Sequence, residues 1–202
     1  MVALLLMAMG HQLAERVGME FTDEQKVLIT LLTSIHKKLE IDDGLDPDFV
    51  QSMVTSGNTW ALYWKYPGIF NDHAETPAAV KRVADVLDMW EVLEHTVAGF
   101  TPAEMAQAET LAGPIRPSSA RFTGYGANNE DEYSIVHILV DDLERWSSFS
   151  GRDFNAHMPM VDIYDRMLSA FQRVNPKSNW SQTLTVPDFA EVLKEMVHPD
   201  NR

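Results

Sequence analysis

Between residues 22 and 40 the apolar side chains fall at Val27, Leu28, Leu31, Leu32, Ile35 and Leu39, the three-and-four spacing of an amphipathic helix. Thr22-Asp-Glu-Gln25 opens it as a capping box, in which the threonine hydroxyl accepts from the Gln25 amide and the glutamine side chain returns the bond. Asp42-Asp43-Gly44 closes it, with the glycine supplying a positive-φ exit. Asp46-Pro47 begins a short helix with aspartate as cap and proline at the first helical position, where its missing N–H costs nothing. Gly57 ends that helix. Asn58 is then placed to cap a brief aromatic helix, Trp60 to Tyr66, which Pro67-Gly68 breaks.

Thr76-Pro77 starts the longest helix, running to Gly99, with Val83, Val86, Leu87, Trp90, Leu93 and Val97 on its buried face. Thr101-Pro-Ala-Glu104 is a second capping box and predicts a less apolar helix to about Leu111. Gly113-Pro-Ile-Arg-Pro117 reads as an irregular connector. Asn129 and Glu132 are placed to cap a helix reaching Ser147, Pro159 opens one to Val174, and Thr185-Val-Pro-Asp188 caps a last one ending near His198-Pro199. Alternating strand patterns are nearly absent, and no internal repeat or low-complexity segment occurs. The expectation is an all-α, multi-helix single domain of about seven to eight helices, joined by irregular loops rich in aromatic residues, glycine and proline.

Composition bounds the class. The chain has 202 residues, 45% of them apolar and 23% charged, enough for one domain with a real core, alone or with a small appendage. It has no cysteine, which excludes disulfides, thiolate metal sites and cysteine nucleophiles and fits a reducing, cytoplasmic location. The net charge is −14. The only adjacent basic pairs lie at Lys37-Lys38 and Lys81-Arg82, so a phosphate-neutralising run is missing and nucleic acid is disfavoured as a partner. The apolar run Val2–Met9 has no basic residue before it, as an export signal requires. It also falls well short of the roughly 20 residues of a membrane span.

Candidate chemistry is sparse. His137 and Asp141 share a helix face at i,i+4, as do Glu91 and His95, and two such pairs across a bundle would make a histidine–carboxylate site. The ferritin-like Glu-x-x-His repeat and the His-Glu-x-x-His motif are both absent, and such pairs commonly form salt links on solvated faces, so no metal or cofactor is expected. Asp42, Asp43, Asp46 and Asp48 lack the spacing of a calcium loop. With no Gly-x-Ser-x-Gly elbow and no phosphate loop, no catalytic residue is assigned. Trp60, Tyr63, Trp64, Tyr66 and Phe70 crowd one stretch and suit either an oligomer seam, a partner groove or interior packing. Residues 1–18, with Leu4, Leu5, Met7, Met9, Leu13 and Val17, read as an amphipathic oligomerisation arm or as a passive extension.

The densest signatures are Phe122-Thr-Gly-Tyr-Gly126, Phe154-Asn-Ala-His-Met-Pro-Met160 and Tyr164-Asp-Arg-Met-Leu168. Their glycines permit tight turns, Phe122 and Tyr125 can plug a core from a loop, and Asn155 can serve backbone groups left free before the next helix. The first is no dinucleotide fingerprint, because no strand precedes it and the third glycine is missing. In this order the motifs resemble the YfbU family of bacterial proteins, over residues 19–198 and most strongly over 121–168. The matching positions are Phe122, Gly124, Tyr125, Tyr133, Arg145, Trp146, Phe154, Asn155, Pro159, Met160, Tyr164, Arg166, Met167 and Leu168. Gly126 stands where an acidic residue is the family's habit, and His157 where glutamine is. The resemblance implies a helical domain over 19–198, an extension over 1–18 and a tail over 199–202, and it carries no residue roles.

Two functional readings follow. The leading one is a non-catalytic interaction protein that forms homo-oligomers and engages an as yet unknown protein partner, through the aromatic segment 60–70 (Trp60, Trp64) and the N-terminal arm. The alternative is an enzyme or a binder of a small anionic ligand. Its pocket would be walled by Phe122, Gly124 and Tyr125 and by Phe154, Asn155 and His157, beside Tyr164, with Arg145 and Arg166 as cations and His157 as the titratable group. Ion pairing of those arginines with nearby aspartates is the structural competitor. A regulator contacting nucleic acid comes last.

Overall fold

A computed structural model describes residues 19–42, 44–69, 76–198 and 200. The N-terminal arm, Asp43, Phe70 and most of the C-terminal tail lie outside the described residues. Those described form eight α-helices with 3-10 turns between them and no strand or sheet. They fall into two compact units, one within residues 1–78 and the other within 79–202.

The first unit holds α1 (Asp23–Lys38), α2 (Pro47–Ser56) and α3 (Trp60–Lys65). The Thr22/Gln25 capping box forms in full. The chain leaves α1 through Glu40 at φ 52, not first at Gly44, because the Glu40 amide turns back onto the Lys37 carbonyl and ends the helix early. Asp46 caps α2 by accepting from the Asp48 and Phe49 amides, and Gly57 exits at φ 79. Asn58 does not cap α3. Its side-chain oxygen instead accepts from the Trp60 indole at 3.2 Å, and Thr59 makes no capping bond. Helices α2 and α3 bury Phe49, Met53, Val54, Trp60, Ala61 and Leu62.

In the second unit, α4 (Ala78–Ala98) buries Val83, Val86, Leu87, Trp90 and Leu93 as its periodicity demands, while Val97, near its end, is half-buried. Helix α5 (Pro102–Ala112) opens with the Thr101/Glu104 capping box and buries Ala108 and Ala112. It packs on α8 (Val186–Lys194), which also meets α7 (Val161–Val174). Helix α6 (Glu132–His137) stops short of Ser147: it widens into a π-turn over Ile138–Asp142, then bends through left-handed Glu144 and Trp146. A tertiary bond accompanies this break, since the Trp146 indole donates to Asp88 of α4 at 2.8 Å. Helix α8 ends at Lys194, where the Glu195, Met196 and Val197 amides tighten onto carbonyls three residues back.

Candidate functional site

The two loops singled out by their glycine and aromatic content meet backbone to backbone. The Tyr125 amide donates to the Phe154 carbonyl and the Ala156 amide to the Tyr125 carbonyl, both at 2.9 Å. Gly124 makes this approach possible. It sits at φ +83, and a Cβ there would lie 1.9 Å from the Phe154 oxygen. The space where the loops converge is filled by Phe122, Tyr125, Phe154 and Tyr164, each 2% exposed or less, against Trp90 and Phe149. The rings pack tilted or edge-on at 5.3–6.3 Å between centroids. Burial raises the hydroxyl pKa of both tyrosines. The Tyr164 hydroxyl meets that of Thr123 at 3.2 Å, while the Tyr125 hydroxyl has no partner among the described residues.

Carboxylates lock this interlock to the helices. Glu130 accepts from the amides of Gly126 at 2.6 Å, Met160 at 2.6 Å and Val161 at 2.7 Å. It therefore caps α7 from thirty residues upstream, in place of a local cap. Glu94 on α4 accepts from the Phe122 amide and takes a two-pronged bond from Arg152, all at 2.7 Å. Asn155 accepts from the Ala127 and His157 amides. The long-range bonds of Glu130 to Met160 and Val161, of Glu94 to Phe122 and of Arg152 to Glu94 span 28 to 58 residues, and no local spacing signals them.

The remaining sequence candidates scatter. Trp60 is buried in the first unit, edge-on to half-buried Trp64 at 5.8 Å, and the Trp64 indole donates to Thr76. Arg145 is exposed after the π-turn. His157 is exposed at φ 57, and half-buried Arg166 donates to the Asp162 carbonyl. His137 pairs with Asp141 at 2.8 Å on its own helix. Glu91 and His95 instead line a cleft of about 630 Å³ with Asp88, Glu94, Phe149 and Trp180. Burial, with Asp85 and Glu91 nearby, raises the Asp88 carboxyl pKa, against the lowering effect of the Trp146 hydrogen bond. Among the described residues, no group of three or more histidines and carboxylates has the arrangement to hold a metal ion.

The largest departure from ordinary burial lies in α1. Its side facing α2 is polar: Thr33 is buried and bonds to Gln51 at 2.8 Å, and Lys37 pairs with Asp48 at 2.7 Å. Its apolar stripe is left outside. Val27, Leu28, Leu31, Leu32, Ile35, Leu39 and Ile41 are each 45–65% exposed. A lone exposed leucine is ordinary, but seven apolar residues on one helix and its exit are not.

These features define an all-α protein with a glycine-enabled aromatic interlock and an apolar helix face turned to solvent. The YfbU domain model matches residues 19–194. The chain belongs to the YfbU family. No curated protein matches the sequence. No helix among the described residues is long and apolar enough to cross a membrane.

Proposed function

We propose that this protein is a non-catalytic interaction module that works by self-association. The observation that carries the reading is the inverted α1: polar residues bond inward to α2 while the apolar stripe stays exposed. A helix covers its apolar face wherever the fold allows, so the exposed stripe is the natural contact for another protein surface. The expected seam therefore moves from Trp60 and Trp64, which are largely taken up by packing in their own unit, to α1. The anionic-ligand alternative has less support, because the loops that were to wall its pocket fill the space between them with their own rings. Acidic groups, not basic ones, dominate the neighbouring cleft. A nucleic-acid partner remains disfavoured by the net charge of −14.

The test is native mass spectrometry and sedimentation of the full chain beside Leu31→Lys and Leu32→Lys variants. The parent is expected as a discrete oligomer and the variants as folded monomers, since these side chains are exposed and substitution there changes stability by about 0.5 kcal/mol or less. A parent that stays monomeric at the highest concentration reached would refute the reading.

A further inference from the structure

We infer that the surface covering the α1 stripe is the α1 stripe of a second copy of this chain, the two helices running antiparallel about a two-fold axis at Leu31 and Leu32. The inference rests on the self-association reading and deepens it by pairing stripe with stripe and giving the symmetry, register and direction of the contact.

Area comes first. The seven exposed apolar residues from Val27 to Ile41 present roughly 700 Å² of accessible surface, of the order of the ~800 Å² that each partner gives to a standard stable interface. That exceeds the ~300–600 Å² of the largest apolar patch on a typical monomer. The second argument is self-complementarity. Leu28, Leu31, Leu32 and Ile35 fall at i, i+3, i+4 and i+7 and are centred between 31 and 32. A two-fold axis there sets Leu28 opposite Ile35 and Leu31 opposite Leu32, so one pattern serves both sides, as an isologous contact requires.

Charge fixes the direction. The first turn of α1 carries Asp23 and Glu24 and the last turn His36, Lys37 and Lys38. Antiparallel pairing brings each acidic end beside the partner's basic end and opposes the helix dipoles favourably, whereas parallel pairing stacks like on like at both ends. Lys37 is already paired with Asp48, which leaves Lys38 as the cation facing the partner's Glu24. No charged residue occurs between Val27 and Ile35. A chain of net charge −14 can therefore meet its own copy there without burying a charge.

The chain contains no cysteine, so reporters can be placed cleanly. A full-length Glu24→Cys/Lys38→Cys variant is treated with a short bis-maleimide and the linked peptides are mapped. Within one helix the two positions lie about 21 Å apart, beyond the reach of the linker, so any 24–38 link is between chains. The expected result is a covalent dimer with 24–38 links in about ten-fold excess over 24–24 and 38–38 links. Dominant 24–24 and 38–38 links would overturn the direction. An oligomer that yields no α1 link would overturn the choice of face while leaving self-association standing. A monomer at all concentrations would overturn both; if a Leu31→Cys thiol in that monomer resisted labelling, residues 1–18 or another part of the same chain would be the cover.

Discussion

Replacing Gly124 with alanine isolates the contact on which the loop interlock depends. A Cβ at this position would stand 1.9, 2.3 and 2.5 Å from the oxygen, carbonyl carbon and Cα of Phe154. All three are backbone atoms, so no side chain can swing aside and the 154–156 segment must retreat. The left-handed φ of +83 adds about 1–2 kcal/mol for any residue with a Cβ. Retreat weakens the two bonds joining Tyr125 to Phe154 and Ala156, each with a net value of about 0.5–1.5 kcal/mol. It also loosens Phe154, fully buried against Phe122 and His137, for roughly 1–3 kcal/mol more. The expected loss is therefore about 3–8 kcal/mol, a large part of the ~5–15 kcal/mol of an ordinary domain. Urea unfolding followed by tryptophan fluorescence measures it. Gly151→Ala is the control: its φ is +75, but nothing lies within 4 Å of its Cβ, so only the backbone strain of about 1–2 kcal/mol applies. Equal losses in the two variants would refute the close-contact argument.

Two further outcomes follow from the carboxylates. Glu130→Ala leaves three partly buried amides without their acceptor and is expected to cost about 2–4 kcal/mol in the same assay. Glu130→Gln should fall between parent and alanine, because one oxygen can still serve Met160 and Val161 while the new NH2 faces the Gly126 N–H. A glutamine variant as unstable as the alanine one would contradict this division of labour. Asp88 has a raised carboxyl pKa in the folded protein. Between the unfolded value of about 3.9 and the raised folded value, the native state holds a proton that the unfolded chain has released, so this group makes stability fall as pH rises through that window. Asp88→Asn keeps an oxygen for the Trp146 indole and removes the charge. Thermal melts from acid to neutral pH should show a flatter profile and a more stable protein at neutral pH; a less stable variant there would count against the linkage.

The sequence by itself determined what depends on neighbours within a few residues. The capping boxes at Thr22 and Thr101 form as read, because donor and acceptor sit three residues apart whatever surrounds them. The buried face of α4 follows from its period, and the all-α class follows from the absence of alternation. The glycines and aromatic residues of 122–126 and 154–157 stand out in the sequence, but their backbone-to-backbone contact is a tertiary one. Tertiary structure decided the rest. The Trp146–Asp88 bond accompanies the early break after α6, and Glu130 caps a helix thirty residues away. Whether Asn58 served a backbone or an indole depended on where Trp60 turned. The clearest case is α1. Hydrophobic periodicity identifies a helix and its apolar face but is blind to which face the neighbouring helix takes. Here the Thr33–Gln51 bond forms on the side of α1 that meets α2, and the apolar stripe is exposed.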